Sequence, residues 1–133
     1  MPNYQEGDSA SFTKTITEAD IVLFAGISGD SNPLHLDAEY AKSTRFGQRI
    51  AHGMLSAGLI STVLGTKLPG PGCIYMGQTL RFTAPVYLGD TITATATITD
   101  YDRKRGRMTL STVWTNQRGQ EVITGEAQVR VSD

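Results

Sequence analysis

From Thr91 to the end of the chain, apolar and polar residues alternate with a period of two, and this alternation limits the possible folds more than any other feature. Ile92, Ala94, Ala96 and Ile98 fall on one side of an extended segment, and Thr91, Thr93, Thr95, Thr97 and Thr99 on the other. Met108, Leu110, Thr112 and Trp114 repeat the pattern, as do Ile123, Gly125, Ala127, Val129 and Val131. Successive side chains of a strand point to opposite faces, so each segment reads as a half-buried strand. Turn signals at Arg103–Gly106 and Gln117–Gln120 join them as antiparallel hairpins. With Ile74 to Phe82 and a stretch near Ser9 to Thr13, the expected sheet has about five strands.

Such a sheet keeps one face wet and needs a cover for the other. The earlier half of the chain supplies it. Met54 to Leu64 carries no charge and has apolar or small residues around its whole circumference, which predicts a helix buried on all sides. Gly65 is expected to end it, and Leu68-Pro69-Gly70-Pro71-Gly72 to force a loop before the sheet. A first helix is expected to start at Thr17, where a hydroxyl precedes Asp20 by three residues. Ile21, Leu23, Phe24 and Ile27 then recur at helical spacing, and Gly29 is placed to stop the helix. Asp37 can cap a short turn over Ala38-Glu39-Tyr40-Ala41. The reading is one α+β domain over residues 1–133, a curved antiparallel sheet wrapped around a central helix; that length sits near the common domain size of roughly 100–150 residues.

The formal net charge is −1 and only 19% of residues are charged, so no overall field favours nucleic acid or an anionic membrane. Met54 to Leu64 is too short and too often interrupted by Ser56, Gly58, Ser61 and Thr62 to cross a bilayer. Cys73 is the one cysteine, and the opening residues show neither a basic nor an apolar leader segment, so a cytoplasmic setting is expected. Glycine is over-represented, with 14 in 133 residues against an average near 7%.

Two constellations carry chemistry. Ser28-Gly29-Asp30-Ser31-Asn32-Pro33-Leu34-His35 gathers an acid, an amide and an imidazole. In one continuous helix Asp30 and His35 would point about 140° apart at roughly 3.6 residues per turn. Pro33 biases Asn32 away from helical backbone, so the stretch is expected to be a loop that aims both side chains at one point. There they can hold and exchange the protons of a water; alternatively, Asp30 caps a turn and His35 is a structural imidazole. Zinc is not expected, since His52, the only other histidine, is remote in sequence and no cysteine or paired acid accompanies it. The second constellation, Ala51-His52-Gly53-Met54, lies where the buried helix begins. The Gly53 N–H has no intrahelical partner there and can serve as an oxyanion donor, while the plainer reading has Gly53 permit a tight start and His52 pack or cap. The basic group Arg103, Lys104, Arg105 and Arg107 reads as a solvated turn or as a contact for ligand phosphates. Gly65 to Gly72 matches neither glycine-rich nucleotide motif.

Phe24-Ala25-Gly26-Ile27-Ser28-Gly29-Asp30-Ser31-Asn32-Pro33-Leu34-His35 resembles the signature of the R-specific enoyl-CoA hydratases of the MaoC-like, hot-dog-fold group. His52-Gly53-Met54, the loop Pro69 to Gly72 and Tyr75-Met76-Gly77-Gln78-Thr79-Leu80-Arg81-Phe82 resemble later landmarks of the short bacterial members that feed polyhydroxyalkanoate synthesis. The resemblance runs over roughly residues 8–131. It implies a homodimer joined through its sheets and hydration of a trans-2-enoyl-CoA to the (R)-3-hydroxyacyl-CoA. It implies no cofactor or metal, coenzyme A being part of the substrate. Carried over, Asp30 and His35 are the catalytic pair, Asn32 holds the loop and contacts the catalytic water or its neighbours, and the Gly53 N–H binds the thioester carbonyl. Ser61 and Leu64, on the central helix, are the candidates for setting acyl-chain length. An acyl-CoA thioesterase on the same fold and a non-catalytic acyl-CoA-binding regulatory domain are the alternatives; the complete acid/base pair speaks against both.

Overall fold

The computed structural model describes residues 3–131. Five strands, β1 (Ser9–Thr15), β2 (Ile74–Phe82), β3 (Thr91–Asp102), β4 (Arg107–Thr115) and β5 (Glu121–Arg130), form one antiparallel sheet in the order β1-β3-β4-β5-β2. The expected alternation holds in β3, where Ile92, Ala94, Ala96 and Ile98 are buried and the intervening threonines are not, and in β4, where Met108, Leu110, Thr112 and Trp114 point inward. In β5 the pattern slips at its start, because Val122 and Ile123 are both buried beside a register shift between Trp114 and Thr115. A bulge of this kind bends a strand and strengthens its twist.

Five helical segments precede or interrupt the strands: α1 (Glu18–Ser28), α2 (Pro33–Leu36), α3 (Ala38–Lys42), α4 (Gly53–Ala57) and α5 (Leu59–Thr66). Thr17 caps α1 as a full capping box, with its side chain accepting from the Asp20 N–H and the Asp20 carboxylate accepting from the Thr17 N–H. Gly29 closes the helix in the left-handed conformation, at φ 81°, and donates to the Ala25 carbonyl at 2.9 Å. Asp37 caps α3 by accepting from the Glu39 and Tyr40 N–H groups.

α5 touches β3 and both outer strands, β1 and β2, so the sheet curls around it. Ile60, Val63 and Leu64 pack there with Ile92, Leu110 and Trp114 in one hydrophobic core. The central helix departs from expectation in three ways. It is divided at Gly58, whose N–H reaches both the Met54 and Ser56 carbonyls. It runs one residue past Gly65, to Thr66. It is also not buried on all sides: Met54, Gly58 and Ser61 lie exposed along one stripe. On α1, Ile21 is buried while Val22, Leu23 and Ile27 face outward. Helical spacing places residues on a common face without saying what that face meets. Among the described residues no helix is long and apolar enough to cross a membrane.

Candidate active site

Asp30 sits in the short connection between α1 and α2. Its Oδ1 accepts the Asn32 N–H at 3.2 Å, and Asn32 in turn caps α2 by accepting the Leu34 N–H at 3.0 Å. Pro33 occupies the first turn of α2, where its missing N–H leaves no bond unmade. His35 therefore rides on one turn of helix, not on the loop that the Asn32-Pro33 sequence suggests. The rule that moves the residue before proline out of helical backbone acts on Asn32, and leaves Pro33 free to begin a helix.

Two further contacts hold His35. Its Nδ1 bonds the Ile50 carbonyl at 2.7 Å, and its own carbonyl accepts from Arg49 Nε at 2.6 Å. Arg49 also pairs with Glu18 at 2.8 Å, tying α2 to the start of α1. Neither link has a local motif, so nothing in the sequence marks Arg49. A carbonyl can only accept, so His35 Nδ1 carries the hydrogen and Nε2 keeps its lone pair. Burial holds this imidazole below the ordinary histidine pKa; the bond to Ile50 opposes the shift, and the neighbouring His52 ring adds to it.

Asp30, His35, His52 and Gly53 line a single cleft of about 410 Å³ with Phe82 and Val86 among its walls. The acid and imidazole that the spacing picked out are thus brought together. His52, set aside as remote in sequence, lies with them: Asp30, His35 and His52 each offer a ligand atom within 4.8 Å of the others. The His35 and His52 rings stack with centroids 3.9 Å apart and 29° between planes. Metal-bound imidazoles direct in-plane lone pairs at one ion, whereas rings stacked face to face hold theirs in separate layers. The donor set is that of a metal site, and the ring geometry is that of a packed pair.

Gly53 opens α4, as expected, and its conformation is ordinary; the reason for glycine is space. A Cβ built there would lie 2.6 Å from Cε1 of Phe82. Gly53→Ala is expected to push the Phe82 ring across the cleft and lower kcat/KM about tenfold or more, a loss of about 1.4 kcal/mol in transition-state binding. Gly53→Ala/Phe82→Ala is expected to recover most of it, as steady-state kinetics on the three proteins would show.

The other candidates fall elsewhere. Asn32 supports the loop through its cap and does not line the cleft. Neither Ser61 nor Leu64 lines it: Ser61 is exposed, and Leu64 is a core residue at 1% exposure. Three residues apart on α5, the two lie on adjoining rows of the same helix, one turned to solvent and one to the core. The basic turn lies at the β3–β4 hairpin, where Arg103 donates to the Tyr4 carbonyl and Arg105 faces Asp102. None of its four residues reaches the cleft.

Residues 4–122 match the family model for the MaoC like domain. The chain is 57% identical over 127 residues to the (R)-specific enoyl-CoA hydratase of Rhodospirillum rubrum, covering 96% of this chain and 88% of that one. It is 43% identical over 125 residues to the enzyme of the same name from Aeromonas caviae, covering 94% and 93%. The solved structure described as the (R)-hydratase from A. caviae involved in PHA biosynthesis superposes with a TM-score of 0.95 at 41% identity, over 99% of this chain and 100% of that one. With a sheet curled around its helix in the hot-dog manner and a sequence matched along nearly its whole length, the chain belongs to the MaoC-like family.

Proposed function

We propose that the protein is an R-specific enoyl-CoA hydratase, a hydro-lyase that adds water reversibly to trans-2-enoyl-CoA and yields (R)-3-hydroxyacyl-CoA. The observation that carries this reading is that Asp30, His35 and Gly53 line one cleft, with His35 Nδ1 taken up by the Ile50 carbonyl so that Nε2 is left as the free base. A water held between the Asp30 carboxylate and the free His35 Nε2 attacks C3 of the enoyl group. One O–H bond breaks, a C3–O bond forms, and the proton passes to the pair. The π electrons move onto the thioester oxygen, where the Gly53 N–H meets the growing charge; removing one such donor costs about 2.7–4 kcal/mol in other enzymes. The pair then supplies the proton that closes C2. No electron is transferred, so the reaction calls for no redox group, and coenzyme A belongs to the substrate.

The active unit is proposed to be a homodimer. β2 is an outer strand of the sheet and carries Ile74, Met76 and Phe82 exposed, with Val22, Leu23 and Ile27 exposed on α1. An open apolar strand edge is a natural site for pairing with a second chain. An acyl chain leaving the cleft past Met54 would follow the exposed stripe through Gly58 to Ser61. The thiol of Cys73 is free, which suits a reducing, cytoplasmic setting.

Incubation with crotonyl-, hexenoyl- and octenoyl-CoA, followed by chiral analysis, tests the assignment. Loss of the enoyl-thioester absorbance with an R product is expected. An S product, or release of free thiol at the rate of absorbance loss, would overturn it, the latter in favour of a thioesterase.

The sign of the His35 shift gives a further expectation. Burial favours the neutral ring, so its midpoint lies below the ordinary value of about 6.5. The neutral base therefore persists to more acidic pH than in a free histidine. For stability the sense is the reverse: the unfolded chain binds this proton more readily, so the His35 contribution weakens as pH falls from about 6.5 toward the folded-state midpoint. NMR titration of the ring should read a midpoint under 6.5, and one above it would contradict the assignment.

A further inference from the structure

His52 is used by none of the steps above, yet it is 2% exposed and makes the closest ring contact in the site. It precedes α4 in the cap position but forms no side-chain cap bond. Its Nε2 instead meets the backbone carbonyl of Asp30 at 2.9 Å, across 22 residues of chain. On one face it stacks against His35, and Phe24 lies 4.8 Å away between ring centroids. The segment before it is anchored independently, since the Ala51 N–H donates to the Val86 carbonyl at 2.7 Å.

The hydrogen positions on both rings follow from their partners. The Asp30 carbonyl has no hydrogen to give, so His52 must carry its hydrogen on Nε2. Its Nδ1 is then a bare lone pair, buried and, among the described residues, without a hydrogen-bond partner. A buried polar atom left unpaired is uncommon and calls for a reason. Here the reason lies at the opposite nitrogen: the bond to the Asp30 carbonyl requires the edge carrying Nε2 to face the loop, while the stack on His35 fixes the plane of the ring. His35, bonded to the Ile50 carbonyl, has the opposite tautomer, with hydrogen on Nδ1.

We propose that His52, as the Nε2–H tautomer, is a positioning residue for the catalytic pair: it tethers the Asp30 backbone and forms the surface against which His35 is held. One side chain thereby sets both members of the pair relative to each other. Phe24, the third ring, is apolar and adds only packing. The titratable groups facing His52 are Asp30 and His35 themselves. A 1 Å error in the placement of reacting groups can lower a rate about a hundredfold, so loss of the tether should be felt in turnover more than in substrate binding.

The role in turnover rests on the hydratase reading, whereas the tautomers do not. The chain has two histidines, so long-range proton–nitrogen correlation on ¹⁵N-labelled protein resolves all the ring nitrogens. His35 is expected to be protonated on Nδ1 and His52 on Nε2, and a His52 ring protonated on Nδ1 would overturn the proposal without reference to activity. Two variants then divide the functions of the ring. His52→Phe keeps the stack and loses the donor; His52→Gln loses the ring and can return an N–H to the Asp30 carbonyl. With crotonyl-CoA, His52→Phe is expected to lose about tenfold or more in kcat with KM within about twofold, and His52→Gln to recover at least part of that loss. An unchanged kcat in His52→Phe, or a raised KM at unchanged kcat, would overturn the positioning role. If the unsubstituted protein fails to hydrate any enoyl-CoA, the hydratase reading falls instead, and the tautomer measurement still decides the structural half.

Discussion

Asp30→Asn and His35→Gln are each expected to reduce hydration of crotonyl-CoA by about 10²–10⁴-fold, the usual contribution of a positioned acid or base. Asp30→Asn is a mild structural change. The Asn side-chain oxygen can still accept the Asn32 N–H that Asp30 Oδ1 accepts at 3.2 Å, so the connection that carries it should keep its shape while losing its charge. His35→Gln removes the free Nε2 lone pair, and a glutamine N–H can still reach toward the Ile50 carbonyl that holds Nδ1 at 2.7 Å. Because the pair shares one water, the two losses should not add: the double variant is expected to be little worse than the poorer single one. Initial rates at the enoyl-thioester absorbance band, with circular dichroism to verify folding, read all three. Either single variant keeping more than about a tenth of the activity would remove that residue from the acid/base role assigned to it.

The largest effect on stability is expected at Trp114. Its side chain is fully buried on β4, and its indole Nε1–H donates to the Ser56 carbonyl at 2.9 Å, across 58 residues of chain. This bond pins β4 to α4, the short helix that Gly53 opens. Trp114→Ala removes the largest side chain of the core and leaves a cavity, for which Trp or Phe truncations cost about 3–5 kcal/mol. Trp114→Phe retains much of the apolar volume and loses the N–H donor, so a smaller decrease is expected, with the hydrogen bond accounting for about 0.5–1.5 kcal/mol. Urea unfolding at fixed protein concentration measures both, fixed because any dimerisation would couple apparent stability to concentration. A loss below about 2 kcal/mol in Trp114→Ala, under the usual range for such a truncation, would mean that the core closes over the vacated space.

The two expectations reach different depths of what the linear chain discloses. The strands were legible because period-two alternation is a direct consequence of strand geometry, and β3 shows it almost without exception. The caps at Thr17, Gly29 and Asp37 were legible for the same reason: each is a local bond between residues a few positions apart. Asp30 and His35 stand five residues apart, near enough to be suspected together. His52 was not legible as part of the site, because 22 residues of chain separate it from the Asp30 carbonyl that it meets. Arg49 was invisible likewise, since its partners are a backbone carbonyl and a glutamate on another helix. That Leu64 is buried while Ser61, one row away on the same helix, is exposed was not legible either, because an uncharged helix looks equally apolar from every side.

Local geometry therefore determined the kind of protein this is: one α+β unit with five antiparallel strands, a helix for them to enclose, and an acid and an imidazole within reach of each other. The turns already made β3, β4 and β5 neighbours, and only the tertiary structure decided that β1 pairs with β3 and β2 with β5 as the outer strands. It also decided the stacking of His35 on His52, the tautomers that two backbone carbonyls impose on them, and the contact that keeps position 53 free of a side chain. Periodicity and capping act over a few residues and can be read along the chain. Those other relations join segments distant in sequence, and arise only where burial of the common core brings them face to face.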